Sequence, residues 1–249
     1  MMKFIGKILV IVALVISISC SSDDEMGSLN INFTNSVGDE SLVLLNAYDK
    51  NGNENFSVNE LKYIISNIVL IDNRGNEFVY PQKDSYFLIN EEAAQSQNII
   101  LQNVNANNYT SIRFGVGVDQ SNYPLNGVDN FVPTAEENDM LWSWSAGYIF
   151  MKIEGSYSSE QTEDGTFRYH IGSHGQNLDN YREVSLDFLQ PITVTASQTN
   201  EVNINFDVLK LFSGEFEMLL DDKDDIQIDP VNAPKITENY TRAFEIGLN

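Results

Sequence analysis

The sequence predicts an all-β fold, made of many short strands with few short helical segments. Three observations predict it. Short apolar runs recur along the chain and are separated by Asn, Gly and Asp, the residues that supply turns. Several runs alternate apolar and polar side chains with the two-residue period of a half-buried strand. Helical periodicity is scarce. Such a pattern belongs to a sandwich or a barrel of mostly antiparallel strands. No repeat or composition break divides the chain, so one domain is expected over residues 29–249.

The elements follow in order. Leu29, Ile31 and Phe33 alternate with Asn30 and Asn32, a strand with one face in the core. Val43 to Tyr48 is a second apolar run. Tyr63 to Ile71 is apolar on both faces and suits a central strand. The turn Asp72-Asn73-Arg74-Gly75-Asn76 leads into Glu77 to Tyr80, a hairpin. Ser85 to Ile89, Asn98 to Leu101 and Tyr109 to Val118 continue the series. Trp142 to Tyr157 and Thr166 to Ile171 are expected to pair around the acidic loop Ser158 to Gly165. Glu183 to Leu189, Ile192 to Thr195 and Glu201 to Val208 complete the strands. Short helical pieces are expected near Glu60, at Glu91 to Gln95 and at Val208 to Phe212. Asp221 to Asp225 reads as an acidic loop, and Pro230 and Pro234 argue against regular structure after it.

The N-terminus reads as an address. Lys3 and Lys7 precede an apolar run from Ile8 to Ile18, too short for a membrane span of about 20 residues and suited to a signal peptide over residues 1–19. Cys20 is the only cysteine, so the fold carries no internal disulfide. Its place after Ser17-Ile18-Ser19 resembles a bacterial lipobox, which implies cleavage before Cys20 and lipidation of its thiol. Ser21-Ser22-Asp23-Asp24-Glu25 resembles the acidic tract that sends Bacteroidetes lipoproteins to the cell surface. Residues 20–28 then form a tether, and the protein is expected on the outer membrane or cell surface, held by a lipid anchor. The plainer reading is a secreted protein with an acidic linker.

Charge narrows the partners. The formal net charge is -22, and losing Lys3 and Lys7 with the signal takes it to -24. Nucleic acid is excluded, because a phosphate backbone is held by clustered Lys and Arg. The sequence contains no His-Glu-x-x-His, no Gly-x-Ser-x-Gly and no phosphate loop, and no catalytic turnover is expected.

Three local patterns carry possible chemistry. Asp49 to Glu60 scans as a calcium loop, with oxygen donors on Asp49, Asn51, Asn53 and Ser57 and a final carboxylate on Glu60. Glu54 stands where the sharp turn needs Gly, and the same residues read as a long Asn/Gly hairpin turn. The two histidines lie together in His170-Ile171-Gly172-Ser173-His174. On a straight strand they would share a face about 13 Å apart, and Gly172 with Gly175 could bend the chain and bring them closer. Imidazole suits copper, zinc or nickel; the alternative is a surface turn. Met140-Leu141-Trp142-Ser143-Trp144 is rich in soft and aromatic side chains. Trp142, Trp144, Ala146, Tyr148 and Phe150 would line one strand face, the usual pattern of core packing, and Met140 is either a soft donor or a core filler.

Taken in order, several segments resemble the MbnP-like copper-binding protein family of bacterial extracytoplasmic proteins. They are Leu61-Lys62-Tyr63-Ile64-Ile65-Ser66-Asn67-Ile68, Ile112-Arg113-Phe114-Gly115-Val116-Gly117-Val118-Asp119 with Asn122 beyond, Met140 to Trp144 running into Gly147-Tyr148, and Glu154-Gly155 leading to His170-Ile171-Gly172-Ser173. The resemblance spans roughly residues 29–215. It implies a β-sandwich that binds copper outside the cytoplasm, with a role in copper uptake or homeostasis and a metal-handling partner protein. His170 matches a family copper histidine, with His174 and Met140 as further candidates. Trp142 and Trp144 match the paired tryptophans, of which one is oxidised near the metal in some members. A second family histidine follows Asn122, and here that position is Tyr123. The departure leaves an alternative: a structural or interaction sandwich whose copper site has degenerated.

Overall fold

The computed structural model describes residues 25–119, 130–142, 147–174 and 178–247. The signal, Cys20, Tyr123 and Trp144 lie outside the described residues. The strands are β1 (Met26–Val37), β2 (Glu40–Ser41), β3 (Ala47–Asp49), β4 (Glu54–Asp72), β5 (Glu77–Val79), β6 (Tyr86–Asn90), β7 (Asn98–Asn105) and β8 (Asn107–Val116). They continue as β9 (Met151–Ser159), β10 (Gly165–Ile171), β11 (Arg182–Val194), β12 (Asn200–Asp207), β13 (Asp225–Ile226) and β14 (Phe244–Ile246). Among the described residues there are also three short α-helices, α1 (Val132–Glu137), α2 (Leu209–Ser213) and α3 (Ala233–Thr241), and two 3-10 turns, Gln82–Asp84 and Ala94–Gln97.

Two sheets face each other as a sandwich. One runs β14-β12-β1-β2, with β7 also on β1. The other runs β11-β8-β4-β9-β10-β13, with β3, β5 and β6 also on β4. Most pairs are antiparallel; β1 with β12 and β10 with β13 are parallel. The alternation read in β1 is the one observed. Leu29, Ile31 and Phe33 are buried, as are Val202, Ile204 and Phe206 of the neighbouring β12. Across the gap, Phe33 meets Phe114 at 5.9 Å between ring centres and Tyr63 meets Phe206 at 5.1 Å. Such tilted and edge-to-face contacts add to the burial of large rings.

β4 is the axis of the larger sheet. Its first half, Glu54 to Tyr63, pairs with β9, and its second half, Ile65 to Asp72, pairs with β8. Register shifts between Val58 and Glu60 and between Ser66 and Val69 let one strand serve two neighbours. A strand enclosed on both sides and both faces needs apolar residues throughout, which is what Tyr63 to Ile71 displays.

Several expectations need correcting. Glu60 lies inside β4, not near a helix, because pairing with β9 overrides local propensity. Val43 to Leu45 is not strand; β3 starts at Ala47, and Leu45 sits at φ 68°, a turn conformation. Trp142 to Tyr157 is not one strand, since β9 starts only at Met151. Glu183 to Leu189 and Ile192 to Thr195 are one strand, β11, with an irregularity between Asp187 and Ile192. β1 begins at Met26, inside the stretch read as tether. Pro234 does not end regular structure: it opens α3 at the first turn, where its missing N–H costs nothing. Beyond α3, β14 joins β12 and buries Phe244.

Candidate functional site

Strand register builds the site. The odd-numbered residues Leu61, Tyr63, Met151, Ile153, Tyr169 and Ile171 fill the main core. The pleat therefore sends Glu60, Lys62 and Ile64 of β4, Lys152 and Glu154 of β9, and Arg168 and His170 of β10 to the outer face. Cross-strand pairing sorts these into rows. Glu60 stands opposite Glu154, and Glu154 opposite Arg168. One step along, Lys62 stands opposite Lys152, and Lys152 opposite His170.

The next row is apolar and roofed. Ile64, Phe150, Met140, Trp142, Tyr148, Phe131 and Ala135 form a second buried cluster outside the sheet. Among the described residues the roof is made by α1 and by a bridge of Leu141 to Tyr148, both between β8 and β9. Gly172 extends the pleat past His170, on the same face and about 7 Å along the chain. A Cβ on Gly172 would stand 2.6 Å from Cη2 of the Trp142 ring. Only glycine lets the indole lie there. His170 and Trp142 thus share one small region, which the sequence placed on separate elements. His174 follows and is bridged to Leu178.

Two lysines on the roofed face require neutralisation, since an unpaired buried ammonium is costly. Glu60 supplies one carboxylate shared between them, 2.5 Å from Lys62 Nζ and 3.0 Å from Lys152 Nζ. Lys62 also donates to the Asn138 carbonyl of the roof at 3.3 Å. Burial pushes the Glu60 pKa up, and the two lysines more than offset it, leaving it below its ordinary value.

His170 has its own partner. Its Nε2 is 2.7 Å from Glu154 Oε1, with the imidazole only 13% exposed. Burial lowers the His170 pKa, against the upward pull of the Glu154 carboxylate.

Of the remaining sequence candidates, Met140 is fully buried in the second cluster, the packing role that a flexible thioether fills well. The calcium pattern does not assemble. Asp49 and Asn55 are paired across a hairpin between β3 and β4. Asp49 Oδ1 accepts from Gly52 N, and Asn51 Oδ1 accepts from Asn53 N and Glu54 N. Ser57 is bonded to Ser156, and Glu60 is held by its lysines farther along β4. These oxygens close a turn and do not converge on a cation. Among the described residues no three His, Cys, Asp or Glu side chains gather where they could hold a metal ion.

Sequence reasoning missed Glu60, Lys62, Lys152 and Glu154 as a connected set. Their signal was present: charged residues at alternate positions within Leu61-Lys62-Tyr63 and Met151-Lys152-Ile153. It became legible only once register placed the three strands side by side.

Comparison against protein families matches residues 26–233 to MbnP. The chain belongs to the MbnP family. Among solved structures, MbnP from Methylosinus trichosporium superposes with a TM-score of 0.52 at 13% identity, covering 78% of this chain and 80% of that one. At that identity the likeness concerns the fold. Comparison with curated protein sequences gives no match. The family match ends at residue 233, yet α3 and β14 beyond it complete the smaller sheet and its core.

Proposed function

We propose that this MbnP-family chain is an extracytoplasmic lipoprotein that binds copper without turnover, with His170 as a ligand. The observation that carries the reading is an imidazole only 13% exposed, bonded to Glu154, on the strand face that continues to the Trp142 cluster. The donor chemistry fits: imidazole suits copper, and the Trp142 indole packs on Gly172, two residues along the chain from His170. His174, four residues on and bridged to Leu178, is the second histidine of this reading. Met140 is not part of the proposal, being core. The lone Cys20 after an apolar run supports lipid anchoring at the outer membrane or cell surface.

A second reading has its own observation. Lys152 is the cross-strand neighbour of His170, and Lys62 stands beside Lys152. A row of ammonium groups repels a metal cation, as expected of a structural or interaction module that has given up copper.

Titration of the purified chain with Cu(I) and Cu(II), repeated with His170→Ala, separates the two. Copper bound at micromolar Kd or tighter, and weakened by the substitution, supports the first. Weaker binding, or binding indifferent to His170, sinks the first.

A further inference from the structure

The two ends of the sandwich differ in charge. Three turns gather at the end where β1 begins. Ala106 N donates to the Glu25 carbonyl at 2.7 Å, Asn107 Nδ2 donates to Asp72 Oδ2 at 3.2 Å, and Ser28 Oγ lies 2.7 Å from Thr199 Oγ1. These contacts tie the turns at 72–76, 105–108 and 195–200 to the start of β1. Asp72 is their only carboxylate, and it is 3% exposed. Their one cation is Arg74, with its side chain 74% exposed. The nearest carboxylates along the chain are Glu25, Glu77 and Glu201, of which Glu77 is paired with Arg113 at 3.0 Å. β4 runs from this end to the other, and its 19 residues span at most about 60 Å. At the far end Glu54 pairs with Ser159 and accepts from Asp221 N at 3.0 Å, and Thr162 donates to Asp221 at 2.8 Å. The segments gathered there, 159–165 and 214–225, hold Glu160, Glu163, Asp164 and six further carboxylates against one lysine. Arg168 and Arg242 from outside them each pair with one of these carboxylates.

We propose that the acid-poor end is a lipid-facing surface: the three turns rest on the headgroups of the anchoring membrane, and the acid-rich end stands outward. This rests on the lipid-anchor reading above and is independent of copper. Chain reach is the first argument. Cys20 is five residues from Glu25, a distance of at most about 18 Å when fully extended. The leash therefore enters at the acid-poor end and keeps it near the lipid. Charge is the second argument. The Debye length is about 8 Å at physiological salt, so a domain on so short a leash repeatedly enters the range where surface charge acts. Anionic headgroups repel carboxylates there and attract a guanidinium. Neutral Asn, Thr, Ser and Gln side chains, with Arg74 among them, approach at no such cost. The acid-rich end, tens of Å away, lies beyond that field. Met26, 46% exposed beside the turns, adds an apolar contact.

The test couples residues 20–249 through Cys20, the only cysteine, to a maleimide lipid in nanodiscs. The discs contain phosphatidylglycerol and a paramagnetic headgroup lipid, and amide NMR intensities are read along the chain. Signals from 72–76, 105–108 and 195–200 are expected to lose intensity, and those from 159–165 and 214–225 to keep it. A triple variant, Asn73→Glu with Arg74→Glu and Gln198→Glu, isolates the charge. Circular dichroism confirms that it folds. It should regain intensity in these turns on anionic discs and not on zwitterionic ones. Uniform loss of intensity, or loss in the acid-rich segments, overturns the proposal, as does a triple variant broadened equally on both kinds of disc. Metabolic labelling with a fatty-acid analogue in the source bacterium tests the anchor separately. No label, or label retained in Cys20→Ser, removes the anchor and the proposal with it. Label at Cys20, with the wrong end broadened on the discs, overturns the orientation alone.

Discussion

The hairpin between β3 and β4 holds a buried ion pair whose removal makes a sharp test of the fold. Lys50 Nζ lies 2.6 Å from Glu54 Oε2, with side chains 1% and 3% exposed. The other oxygen, Glu54 Oε1, accepts from the backbone N–H of Asp221, and so ties the hairpin to the chain before β13. Lys50→Met leaves the Glu54 carboxylate buried beside an apolar side chain. Removing one partner of such a pair costs about 3–5 kcal/mol. In a domain of this size each kcal/mol moves Tm by about 2–4 °C, so a fall of roughly 10 °C is expected. Replacing both partners, as in Lys50→Met with Glu54→Leu, removes the stranded charge and recovers most of the loss. What persists is the lost bond to Asp221 N, about 1 kcal/mol. Thermal and urea unfolding of the parent, single and double variants measure each quantity. A single variant within 1 °C of the parent, or a double variant no more stable than the single, would refute the view that the pair is buried and interdependent.

Two further predictions concern the outer face of the larger sheet. The Glu60 pKa is lowered in the fold, so its contribution to stability is present above the unfolded value near 4.5 and is lost as pH falls through the lower folded value. Glu60→Gln should therefore be less stable than the parent at pH 7, with the gap closing in acid; a gap independent of pH across unfolding curves would contradict the clamp. Gly172→Ala forces a methyl against the Trp142 ring and the Tyr148 carbonyl. A loss of about 1–3 kcal/mol is expected, as for overpacking elsewhere, with a change in tryptophan fluorescence; an unchanged melt and spectrum would show that the indole does not rest on Gly172.

How much was legible beforehand differs by element. The period-two alternation of Leu29, Ile31 and Phe33 and the doubly apolar run of Tyr63 to Ile71 announced a half-buried and a central strand, because a strand's two faces are written directly into residue parity. The Asp72 to Asn76 turn was equally plain, since Asp72 accepts from Arg74 N, Asn76 N and Asn76 Nδ2 entirely within its own segment. The calcium pattern misled for a related reason: Asn and Asp oxygens that close a turn have the same spacing as oxygens that bind an ion. Pro234 misled because a proline that ends one helix can open another.

By itself, then, the sequence determined the strand-rich class, the inward and outward parity of β1, the absence of an internal disulfide, the acidic balance and the segment containing His170 and His174. The tertiary structure alone decided what those residues meet. That Glu60 would gather Lys62 and Lys152, that Glu154 would bond His170, and that Trp142 would lie over Gly172 depend on the register of β4, β9 and β10 and on the roof between β8 and β9. Register is set by the whole core at once: a slip of one residue would exchange the faces of every side chain on the strand. No local window of sequence contains that information.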